Sequence, residues 1–178
     1  MSIGAAIRLA RFDSAGIRAF NLTLTGFWRS FGASVIVAPF AITIALTSPL
    51  SNASEISIPA WSVSYILSWV VFPIAMIFIS KLFKLTERYI QFIIAINWIS
   101  VVEILIYFAL TGLATTGLAS SEIFLSLNFI SFIYILSYST FVIRTALEIP
   151  WVTAIALLVI QLIIEFIISA GIAPLATV

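Results

Sequence analysis

Residues Glu87–Gly112 read ERYIQFIIAINWISVVEILIYFALTG. The stretch opens with charge, runs apolar for the depth of a bilayer, and closes on Thr-Gly. At about 1.5 Å of rise per residue, some 20 apolar residues in a helix cross the hydrocarbon layer. Its polar residues form a stripe: Ser100, Glu103, Tyr107 and Thr111 recur at i−3, i, i+4 and i+8 around a single carboxylate, with Asn97 one turn before them. An ionisable group inside a lipid-crossing helix is costly, so such a stripe faces the interior of a bundle rather than lipid.

The rest of the chain agrees with that reading. Of 178 residues, 63% are hydrophobic and 8% are charged. A soluble domain carries about a quarter charged residues. The apolar runs are too long and continuous for the alternating strands of a membrane barrel. The fold class predicted is therefore all-α, a polytopic membrane helix bundle with five transmembrane helices. The spans are placed at Phe27–Thr47, Ala60–Ser80, Tyr89–Thr111, Glu122–Ile143 and Trp151–Ala170. This divides the chain into a lead-in over 1–26, a transmembrane domain over 27–170 and a short external tail over 171–178. No cleavable leader is read at the N-terminus, because no short apolar segment with a small-residue cleavage site precedes the first span.

The lead-in reads as an N-terminal amphipathic interfacial helix. Ile3, Ala6, Ile7 and Ala10 share a face. Asp13 is placed to cap a new helix, with Phe12 and Ile17 spaced as a staple. Ile17, Phe20, Leu24 and Phe27 continue an apolar stripe, while Arg18, Asn21 and Thr25 fall elsewhere. Two placements fit this pattern, one in the membrane interface and one docked on the bundle's own end. Pro39 in the first span frees a carbonyl that a neighbour must satisfy, and Pro73 interrupts the second. Asn52-Ala53-Ser54 matches a glycosylation triplet.

Charge placement gives the threading. The eight basic residues fall in three places: Arg8, Arg11, Arg18 and Arg29 before or at the first span, Lys81, Lys84 and Arg88 between the second and third, and Arg144 between the fourth and fifth. The alternate connections carry none. The positive-inside rule puts the N-terminus in the cytoplasm and the C-terminus outside, which an odd number of spans requires. These side chains are read as anchors for lipid headgroups. Arg144 and Glu148 are spaced for a helical ion pair. Small size and short loops point to the bacterial inner membrane.

Depth then pairs Glu103 with Glu165. Each lies fourteen residues into its span from Tyr89 and Trp151, or roughly 20 Å from the basic side. SVVEILIYFALTG and QLIIEFIISAG carry them in similar surroundings, Gln161 preceding Glu165 by one turn. Pro39 and Thr43, Ser64 and Ser68, and Asn128 and Ser131 are expected at the same height in the other spans. Ser126, Ser131, Ser137 and Ser139, with Tyr134 and Tyr138, suggest hydroxyl bonding between close helices in the fourth span. Two facing carboxylates either share or relay a proton, hold a cation beside hydroxyl and amide oxygens, or serve as structural ties between helices. The sequence leaves these open.

The absence of Cys and His removes thiolate nucleophiles, disulfides and the usual zinc and haem ligands. No nucleophile–base set, phosphate loop or cofactor motif is present, so the chain is read as neither an enzyme nor a cofactor carrier, and no nucleic-acid patch is seen. Its partners are expected to be the lipid bilayer and other membrane subunits or further copies of itself.

Five spans, an amphipathic lead-in, FWRSF at Phe27–Phe31 and VAPF at Val37–Phe40 resemble the Yip1-type membrane proteins over roughly Phe27 to Ala170. The Asp-Leu-Tyr-Gly-Pro motif of the eukaryotic members is missing. The resemblance implies a non-enzymatic membrane organiser, adaptor or accessory subunit and assigns no functional residue. The alternative is a small ion- or proton-coupled transporter using Glu103 and Glu165.

Overall fold

The computed structural model describes residues 2–47 and 57–172. The glycosylation triplet and the last six residues lie outside them. The described residues are mostly helical, with no strand among them. In chain order the helices are α1 (Ser2–Ala10), α2 (Leu24–Ser30), α3 (Gly32–Thr47), α4 (Ile58–Leu82), α5 (Tyr89–Thr115), α6 (Ser121–Leu147) and α7 (Trp151–Ile172), with short 3-10 turns at Ser14–Ala19 and Thr86–Arg88. Five segments are long and apolar enough to cross a membrane, α2 and α3 together forming the first. The protein is thus a multi-pass membrane protein.

Helix α5, the stretch read first, is the hub. It packs against α1, α2, α3, α4 and α6, while α7 closes the bundle between α4 and α6. Arg18, Arg88 and Arg144 lie together at one end, the basic end, and the packed core lies in the same half. There α4 contributes Phe72 and Met76, α5 an almost unbroken buried run from Phe92 to Ile99, α6 Tyr138 to Leu147, and α7 Ala154, Leu157 and Leu158. Towards the other end fewer side chains are buried, Leu110, Thr111 and Phe124 among them. Phe129 and Ile130 on α6 and Phe166 and Ile167 on α7 are largely exposed. Lipid is as apolar as these side chains, so nothing but packing contact draws helices together there.

The lead-in docks on the basic end rather than forming one continuous amphipathic helix. Helix α1 buries Ala5, Ala6 and Leu9, and leaves Ile3 and Ile7 exposed. The buried face is therefore rotated from the predicted one, because the two alanines permit close approach to α5 and α6. Tyr138 donates its hydroxyl to the Ala6 carbonyl at 3.0 Å, and Tyr134 donates to that of Ala10. The second of these satisfies a carbonyl that the end of α1 leaves without an intrahelical partner. Gly16 lies so close that a Cβ there would stand 2.8 Å from the Ala5 carbonyl oxygen.

The predicted stripe Ile17–Phe27 is broken at Phe20, which is extended at φ −79° and ψ 154°. Asp13 does cap, but it caps a 3-10 turn, accepting the Ala15 amide at 2.9 Å. Thr23 then starts a separate helix by accepting the Gly26 amide at 3.1 Å. Two capping residues ten positions apart divide what the apolar spacing alone reads as one helix. Phe12, expected to staple against Ile17, instead sets its ring edge-on to Phe141 and Tyr134 of α6, at 5.3 and 6.1 Å.

Candidate functional site

Above the packed half, α3, α4, α5 and α7 leave a cavity of about 280 Å³. Its polar lining is Tyr65 and Ser68 from α4, Asn97, Ser100, Glu103 and Tyr107 from α5, and Gln161 and Glu165 from α7. Both stripes predicted from helical spacing therefore reach one space. Glu103 is half-buried, and Glu165 stands at the rim, exposed. No lysine or arginine lines the cavity.

The hydrogen bonds show how each group is held. Ser139 of α6 donates its hydroxyl to Glu103 Oε1 at 2.6 Å. Gln161 Nε2 donates to Glu165 Oε1 at 3.1 Å, while Gln161 Oε1 is buried without a hydrogen-bond partner. Ser68 and Ser100 donate to carbonyls of their own helices, at 2.8 and 3.1 Å, and so keep hydroxyl oxygens available as acceptors. Asn97 turns towards the core. Its Nδ2 donates to Ser30 Oγ at 2.9 Å, and Ser30 donates to the Phe27 carbonyl at 2.6 Å, tying α5 to α2. Tyr65 donates to the Ser34 carbonyl of α3, one turn before Pro39. Oxygen acceptors thus outnumber the donors aimed at them.

Pro39, Thr43 and Ser64, expected at this height, and Thr111, the last of the α5 stripe, do not line the cavity, and nor do two members expected from α6. Asn128 and Ser131 stand half-buried on α6 and line no part of the cavity. Ser139 takes their place for two reasons. First, α6 continues to Leu147, four residues past its predicted end, so depth counted from that end falls four residues later in the chain. Second, Cβ bonds tilt towards a helix N-terminus. Glu103 therefore leans towards the basic end and Ser139, on an antiparallel helix, leans away from it, so the two meet across an axial offset. The sequence offered Ser139 only as one of several serines on α6. Ser126 and Ser137, from the same group, bond back to Glu122 and Ile133 of their own helix. Ser30 carried no signal beyond a small polar residue at a helix end.

The basic residues do not act as one set. Arg8 pairs with Asp13 at 2.8 Å. Arg88 pairs with Glu148 at 2.6 Å. The expected Arg144–Glu148 pair does not form, because Glu148 caps α6 in the left-handed conformation at φ 55°, where helical i, i+4 spacing no longer holds. Arg144 lies instead over the Trp151 ring, 4.8 Å from its centroid. Arg11, Arg18, Arg29, Lys81 and Lys84 are exposed. The Arg8 guanidinium beside Asp13, helped by the Ala15 amide, holds that carboxyl below the usual carboxylate range.

Among the described residues no three Asp, Glu, His or Cys side chains gather as a metal-binding group. No protein-family model, curated protein or solved structure matches the chain.

Proposed function

We propose that the protein is a small ion- or proton-coupled membrane carrier in which Glu103 and Glu165 hold the coupled proton or a monovalent cation. One observation carries this reading: carboxylates from two separate helices open on one cavity that is lined with hydroxyl and amide oxygens and has no basic side chain. Negative charge in such a place is balanced by a proton or by a cation. A divalent ion takes six or more oxygens with several carboxylates, which fits this pair less well. Glu165 at the rim and Glu103 further in supply two stations for one ion. The orientation that accompanies this reading has the basic end cytoplasmic and the C-terminus outside, in a bacterial inner membrane.

A second reading is a membrane organiser or accessory subunit, with the Yip1-like topology. It is favoured by the Ser139–Glu103 bond, which joins α6 to α5 as a structural tie would. One experiment separates the two. The purified protein is placed in vesicles with an internal pH dye, and proton and alkali-cation flux is followed for wild type, Glu103→Gln and Glu165→Gln. The carrier reading expects each variant to accumulate normally and to lose at least tenfold in flux. Wild-type vesicles without flux, or variants that fail to accumulate, decide for the structural tie.

A further inference from the structure

The second recess worth attention is at the basic end. The 3-10 turn of the lead-in, the start of α5, the last turn of α6 and the approach to α7 enclose about 500 Å³. Three guanidinium groups, Arg18, Arg88 and Arg144, line it with one carboxylate, Glu148. Arg88 is committed to Glu148. Arg18 and Arg144 make no ion pair with any described residue. Arg144 Nε is buried without a hydrogen-bond partner. Its terminal Nη groups are neither buried nor hydrogen-bonded to any described residue, so they are the donors open to an anionic acceptor.

The position of this guanidinium is also built. It lies over the Trp151 ring, which holds it by a cation–π contact. Thr145 is turned away, its hydroxyl donating to the Phe141 carbonyl at 2.7 Å, and Gln91 is held by the Ala146 carbonyl at 2.9 Å. The remaining cationic excess therefore faces open space. The recess lies where three spans begin or end, which is the level of lipid headgroups.

We propose that this recess binds a phosphate group, with Arg144 and Arg18 as its direct ligands. The group belongs either to an anionic lipid or to a free phosphate. The planar fork of arginine matches two phosphate oxygens, and two such forks on separate segments converge on one group. The consequence is structural as well. A phosphate held here joins the lead-in to α6, so that anionic ligand locks the docked N-terminal segment onto the bundle.

The test uses the full chain in a neutral detergent, with bound molecules counted by native mass spectrometry. The probes are phosphatidylglycerol, phosphatidic acid, phosphatidylcholine and inorganic phosphate. Wild type is expected to retain one anionic lipid or one phosphate per chain, and to prefer anionic lipid over phosphatidylcholine at least tenfold. Arg144→Gln and Arg18→Gln are each expected to weaken retention about tenfold. Arg11→Gln and Lys84→Gln, at the same end but outside the recess, leave it unchanged. Inorganic phosphate that displaces the lipid marks a site for the phosphate group alone, and lipid that resists displacement marks a lipid site. Equal losses from all four substitutions, or none from any, overturn the proposal. Arg144→Lys guards against a folding defect: it keeps the charge and loses the fork, so binding falls several-fold in a folded chain, and unchanged binding also overturns the proposal.

Discussion

The two halves of this bundle are built from the same kind of sequence yet are packed differently. In the basic half, α5 is buried on all sides from Phe92 to Asn97, and the lead-in covers the end. In the other half, the same helix is half-buried or exposed from Val102 to Ala109. Hydropathy does not distinguish the halves, since lipid accepts apolar side chains as readily as a core does. The difference lies in what joins the helices. The basic half has Tyr134 and Tyr138 on α1, Gln91 on α6 and Arg88 on Glu148. The cavity with Glu103 and Glu165 borders that packed core, which supplies Phe72 and Ile96 to its lining. Buried contact is concentrated at one end, and the carboxylates proposed to exchange a proton or ion sit in the looser part.

The largest effect should come from breaking the packed half. Phe92→Ala removes a fully buried ring and is expected to cost on the order of 3 kcal/mol. Phe129→Ala, a substitution of the same size at a position 67% exposed, should cost no more than about 0.5 kcal/mol. Reversible unfolding in mixed micelles compares them, and equal costs would remove the distinction between the halves.

An intermediate effect sharpens the boundary. Asn97→Ala takes away the donor to Ser30 beneath the cavity, and Ser139→Ala takes away the donor to Glu103 beside it. Each interhelical bond is worth about 0.6–2 kcal/mol in a membrane bundle. Asn97→Ala should lower stability more than it lowers vesicle flux, whereas Ser139→Ala should change flux more than stability. A reversed pattern would place the working group at Asn97.

The smallest effect concerns the docked segment. Asp13 has its carboxyl held low by Arg8 and the Ala15 amide. Its contribution is therefore present above the unfolded carboxylate range, near pH 4, and is lost as pH falls through the lower folded value. Amide exchange over residues 8–16 should quicken between neutral pH and pH 3, after correction for intrinsic rates. Asp13→Asn should remove that dependence, and the core of α5 should not follow it.

The five spans and the carboxylates on polar stripes were legible in the sequence. Each depends on periodicity and charge within a segment, which a chain carries with it wherever it packs. The break at Phe20 was not read from the sequence, because the apolar spacing runs through it and only the fold shows Thr23 starting α2. Tertiary structure decided the relations between segments. It alone selected Ser139 over Asn128 and Ser131, turned Arg144 to Trp151 and Glu148 to Arg88, and docked α1 through Ala5 and Ala6. Spacing along one helix sets which residues share a face. It does not set the axial offset or rotation of that helix against its neighbour, and in lipid those follow from close packing and a few hydrogen bonds between helices.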